Sequence, residues 1–140
     1  KIFKKTFSEK KVKEALDHNL LEKLPQADTL VSCNLLSQIP LKPINYICKS
    51  IPSADRKSLA RKIQAQHLSL LENFKGSSYL ITDVRLAYRN AAGQLNSRTP
   101  TVHVGLPVQD PKLWLWNLAP VGEISNTFSA ELEVIAGKIK

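Results

Sequence analysis

Two apolar runs, "DTLVSC" at 28–33 and "SYLITDV" at 78–84, flank one long amphipathic stretch. This pattern limits the fold more than any other in the chain. Both runs are too continuous in Leu, Ile and Val for alternating surface strands, so each reads as a short buried strand. The best helix lies between them, in "SADRKSLARKIQAQHLSLLENFKG". Ser53 is its expected N-cap, Leu59, Ile63, Leu70 and Phe74 line one face, and Gly76 is its stop. Strand, helix and strand make a βαβ unit, which implies a parallel pair with a right-handed crossover.

The rest of the chain reads differently. "NAAGQLNS" is a turn, and "TPTVHVGLP" is an extended segment with a proline near each end. "KLWLWNLAP" sets Leu113, Leu115 and Asn117 against Trp114, Trp116 and Leu118. "SAELEVIAGKI" sets Glu131 and Glu133 against Leu132 and Val134. Joined by "PVGEISNTF", these two predict an antiparallel hairpin. Core packing against a helix is the expected role of Trp114 and Trp116; a stacking platform for a base is the alternative. Ahead of Asp28, six lysines crowd the first thirteen residues, and Val12, Ala15, Leu16, Leu20 and Leu24 give helical spacing from Ser8 to a stop at Pro25. "PLKPINYICKSIP" is a loop or a short turn of helix. The chain thus divides into a basic N-terminal helical segment, 1–27, and one domain, 28–140.

Composition narrows the class. An apolar fraction of 43% over 140 residues fills one core. No apolar run approaches the roughly 18 residues of a membrane span, and the basic N-terminus lacks the apolar stretch of a secretory signal. Cys33 and Cys48 have apolar neighbours and no CxxC spacing. Reduced, core-like thiols in a cytoplasmic protein are expected, with a disulfide between them as the alternative. No three His, Cys, Asp or Glu residues have metal-ligand spacing, so no metal site is expected. A net charge of +8 favours an anionic partner such as nucleic acid, phosphate or an acidic protein, against plain solubility. Arg56, Lys57, Arg61 and Lys62 sit in the N-terminal half of the long helix, where the macrodipole disfavours cations. Arg56 and Arg61 are therefore candidate nucleic-acid contacts, against the reading of a solvated face, and Arg85, Arg89 and Arg98, near the tryptophans in sequence, are candidates to bind phosphates beside a stacked base.

Parallel strands followed by an antiparallel hairpin, with "DTLVSCNLLSQIP" and "GLPVQDPKLWLWNLAPVGE", resemble the C-terminal half of a Rossmann-like S-adenosylmethionine-dependent methyltransferase. The resemblance runs from about Asp28 onward. It implies an α/β, partial Rossmann-like three-layer fold, in which 28–33 and 78–84 are the fourth and fifth strands and the hairpin is the sixth and seventh. The family's glycine-rich cofactor turn has no counterpart: Gly76, Gly93, Gly105, Gly122 and Gly137 are too far apart to make one. The main half of the S-adenosylmethionine site is therefore expected outside these residues, and the chain is expected to be a fragment or a diverged module, inactive alone.

In open α/β sheets, ligands sit at the carboxyl ends of the strands. That places Ser32, Cys33, Asn34, Ser37 and Gln38 at the rim, with Thr82 and Asp83 at the end of the neighbouring strand. By resemblance this loop is the acceptor-side wall of the site. Asn34 would offer a donor and an acceptor to substrate or cofactor, Ser37 and Gln38 would line the entrance, and Asp83 would act as base or substrate partner. Helix capping by Asn34 and Ser37, and a turn role for Asp83, are the plain alternatives. The Asn/Asp-Pro-Pro-aromatic loop of amino methyltransferases acting on nucleic acids is absent, so methylation of base amino groups is not expected. A small molecule or RNA is the expected acceptor. Two further readings are a non-enzymatic basic module that binds nucleic acid or an acidic partner, and a homodimer formed through the exposed sheet edge.

Overall fold

A computed structural model describes residues 26–47 and 52–140. The expected N-terminal helix with its stop at Pro25, and Cys48, lie outside the described residues. The elements in order are β1 (Thr29–Cys33), α1 (Leu35–Gln38), α2 (Leu41–Ile47), α3 (Ser53–Asn73), β2 (Ser77–Asn90), β3 (Leu95–Pro100), β4 (Gln109–Ala119) and β5 (Phe128–Lys138). The fold is mixed α/β, with a five-stranded sheet ordered β1-β2-β5-β4 and β3 beside β2. β1 and β2 are parallel, as the intervening helices require, and every other pairing is antiparallel, including the expected β4–β5 hairpin.

β1 is not the strand its composition suggested. It lies at the edge of the sheet and only one face is covered: Ser32 is buried, whereas Val31 is 53% exposed. β2 is twice as long as the run "SYLITDV", because "RLAYRN" continues it. A tight turn follows, where the Asn90 side chain accepts from the Ala92 and Gln94 amides and Gly93 takes φ +77°. What read as a single turn is therefore a hairpin. β2 also changes neighbour along one edge: Ser77–Ile81 pair with β1, and Arg85–Arg89 pair with β3. Its other edge pairs with β5 from Tyr79 to Asn90, with a register shift between Asp83 and Arg85.

α3 begins one residue differently from expectation. Pro52 occupies the N-cap and Ser53 is the first helical residue, with no side-chain cap. The helix ends because Phe74 turns extended, not through a glycine stop. Gly76 has another role: a Cβ there would collide with the Asp28 carbonyl, which accepts from Ser77 N at 2.9 Å. The buried stripe is Ala60, Ile63, Gln64, Leu68, Leu71 and Phe74; Ile63 and Phe74 are buried as expected, whereas Leu59 and Leu70 only flank it. Leu36, Leu68, Leu71, Leu80 and Ile139 form the core, and each fully buried leucine contributes about 2 kcal/mol.

Residues 101–108 form a strap, bent at Thr101 and Val104, that packs Val102, Val104, Leu106 and Val108 onto this core. It crosses β5 at Gly137, where a Cβ would strike Val108 and the Gln109 carbonyl. Trp114 and Trp116 do share one face of β4, opposite Val134 and Leu132. They are 44% and 48% exposed, however, so the expectation of core packing under a helix is corrected. β4 is the edge strand of the described sheet, and both of its faces are exposed from Gln109 to Leu118.

Candidate functional site

The loop after β1 is built on one unusual backbone. Asn34 has φ 53° and ψ 17°, the left-handed region that Asn tolerates better than other residues with a Cβ. Its N–H donates to the Ile81 carbonyl at 2.8 Å, which fixes the turn against β2. Its side chain makes no capping bond. Asn34 thus occupies the N-cap position of α1 without capping it through its side chain, and the residue is half-exposed at the rim.

Ser37 does not cap a helix or line an entrance. It is buried, and its hydroxyl donates to the buried Asp83 carboxylate. Asp83 does not end its strand; it lies inside β2, at the register shift against β5. Its carbonyl accepts from Thr101 Oγ1 at 2.8 Å and from Thr82 Oγ1 at 3.3 Å. Thr82, Asp83 and Ser37 therefore form a closed buried set behind Asn34. Gln38 and Cys33 are exposed beside them, which corrects the expectation of a core-like thiol at Cys33.

Ser32 turns away from this set. Its side chain lies toward α3, with Oγ 2.7 Å from His67 Nε2. Burial lowers the His67 pKa below the ordinary 6.5, so the pair is a neutral hydrogen bond between strand and helix. His67 is thus a hydrogen-bonded, half-buried histidine with Ser32 as its partner. The strand alternation that brings Ser32 to α3 carries it off the rim.

One residue essential to this arrangement escaped the sequence reading. Gln64 is fully buried; its Nε2 donates to the Leu36 and Thr101 carbonyls at 3.2 and 2.9 Å, and its Oε1 accepts from His103 N at 2.8 Å. It ties α1, α3 and the strap together behind the candidate site. Its signal was present: a glutamine between Ile63 and Ala65, where the helical stripe should be apolar.

The candidate nucleic-acid contacts are distributed over two surfaces. Arg85 and Arg98 both engage Glu133, at 3.0 and 2.6 Å, and Arg89 engages Glu131 at 2.7 Å. The hydrogen bond from Arg98, then that from Arg85, hold the Glu133 carboxyl below its ordinary pKa. Arg61 donates from Nε to the His103 carbonyl at 3.2 Å, and Arg56 is also engaged. His103 is lowered by burial and by the neighbouring Lys57 and Arg61 charges.

Among the described residues no three His, Cys, Asp or Glu side chains are grouped to hold a metal. No helix among them is long and apolar enough to cross a membrane. No family model, curated protein or solved structure matches the chain.

Proposed function

We propose that this chain is the C-terminal part of a Rossmann-like S-adenosylmethionine-dependent methyltransferase and supplies the acceptor-side wall of its active site. One observation carries the reading: β5, antiparallel to both neighbours, sits between the parallel β1–β2 unit and β4. A terminal hairpin docked in this way on two parallel strands matches the expectation for the fifth, sixth and seventh strands. The strap and β3 depart from a plain alternation of strands and helices.

Within this reading Asn34 is the residue that meets substrate or cofactor. Its backbone is held left-handed at the carboxyl end of β1, and its amide is unspent on capping. Asp83 and Ser37 act as positioning residues, because their mutual hydrogen bond fixes the floor beneath Asn34. Methyl transfer to a nucleophilic acceptor depends chiefly on proximity and in-line orientation, so a buried Asp83 is compatible with it. Cys33 and Gln38 border the acceptor, which is a small molecule or RNA.

Calorimetry with S-adenosylmethionine tests the proposal. Saturable heat is expected from the longest natural polypeptide that contains this sequence, and none from residues 1–140 alone. Asn34→Gly in the longer chain should keep the fold and lower methyl transfer at least tenfold. Unchanged turnover, or absence of cofactor binding in the longer chain, overturns the reading. The basic-module alternative draws less support, since Arg85 and Arg89 are already paired with carboxylates.

A further inference from the structure

A second surface lies on the outer side of α3, away from Asn34. Ala65, Leu68 and Glu72 of the helix face Val104, Gly105, Leu106 and Pro107 of the strap across an open groove of about 450 Å³. Arg61 and Lys57 are exposed about one and two helical turns before Ala65, and both act electrostatically on His103 of the strap. The groove is thus cationic at one end, apolar in the middle and acidic at Glu72.

The strap wall has unmet hydrogen-bonding capacity. Side chains of α3 meet its backbone at Thr101 and His103: Gln64 takes the Thr101 carbonyl and the His103 amide, and Arg61 takes the His103 carbonyl. Beyond that point, the Val104, Gly105 and Leu106 amides and the Val104–Pro107 carbonyls have no hydrogen-bond partner among the described residues. Backbone whose donors and acceptors meet no partner among the described residues is the element that a peptide strand adds to. At Gly105 nothing lies within reach of the missing side chain, so an approaching backbone meets no obstacle.

We propose that this groove binds an extended peptide segment, with an acidic side chain at Lys57, Arg61 and His103 and a basic one at Glu72. The charges set the spacing. Arg61 and Glu72 are separated by roughly 16 Å along the helix at 1.5 Å per residue, the span of about five residues of strand. Main-chain bonds to residues 104–107 provide affinity, and the two charged ends fix direction. Charge complementarity selects this occupant over a uniformly anionic polymer, because Glu72 repels phosphate at the far end.

The test is a panning of random heptapeptides against the chain, followed by synthesis of the consensus as a fluorescein-labelled amide. Enriched sequences are expected to place Asp or Glu about five positions from Lys or Arg. Anisotropy binding of the consensus should weaken at least tenfold with Lys57→Glu and with Ala65→Trp, both at exposed positions. N-methylation of alternate peptide amides should abolish it, and the bound peptide should shift the Gly105 and Leu106 amide resonances. No enrichment, or binding indifferent to Ala65→Trp, overturns the proposal. Displacement of the consensus peptide by a twelve-nucleotide oligouridylate would likewise overturn it and mark the cationic end as a phosphate site. None of these outcomes depends on S-adenosylmethionine binding.

Discussion

Asn34 illustrates how one residue type can satisfy two demands at once. Its left-handed backbone turns β1 into α1, and its side-chain amide is not spent on a capping bond. Asn34→Ala should cost about 1 kcal/mol in urea unfolding, because a Cβ without a local hydrogen-bonding side chain is strained there. Asn34→Gly should stay within about 0.5 kcal/mol of the parent, since glycine adopts that region freely. Gly76→Ala should be worse than either, at about 1–3 kcal/mol, because the added methyl must push the Asp28 carbonyl off the start of β1. His67 gives stability a pH dependence. Its folded pKa is below 6.5, so as pH falls through 6.5 the unfolded chain takes up the proton first. Its contribution is complete above 6.5 and is lost progressively below it; His103 adds a contribution of the same sign. His67→Gln should flatten the slope of unfolding free energy between pH 6.5 and 5, measured by denaturant titration at each pH.

At the scale of elements, a single amide side chain does the work of a missing strand. Gln64 meets the Thr101 carbonyl and the His103 amide as a neighbouring strand would. Gln64→Leu leaves both buried, together with the Leu36 carbonyl, and should cost about 2–3 kcal/mol and open the strap to proteolysis between Val102 and Pro107. Glu133→Gln should cost less than about 1 kcal/mol, as its arginine partners are largely exposed. These elements differ in how far the sequence showed them. The strand–helix–strand unit and the β4–β5 hairpin were legible because their hydrophobic periods are local. β3 was not, because "LNSR" has no apolar alternation and forms only by lying against the end of β2. The floor of the site was hidden for a related reason. Ser37 and Asp83 are far apart in sequence, and only the β1–β2 register brings them together. Ser32 could have been placed correctly from alternation alone, since it shares the covered face with Leu30.

Across the whole molecule, the described sheet ends at β1 on one side and at β4 on the other. Val31 lies exposed on the first edge strand, with Tyr79 exposed beside it on β2, and Trp114 and Trp116 lie exposed on the second. Concentration-dependent self-association is expected in sedimentation velocity, and Val31→Lys should reduce it; a monomer at every concentration would limit both edges to intramolecular roles. The change of neighbour along β2 has a different consequence, in time rather than space. β5 holds β2 along nearly its whole length, whereas β1 is held by only five register positions on the opposite edge. The β1 unit can therefore come away while β2, β5 and β4 remain closed, which makes it a separate opening unit of lower stability. Deuterium should enter Thr29–Cys33 well before it enters the centre of β5. A ligand resting on Asn34 should slow the first clock and leave the second unchanged.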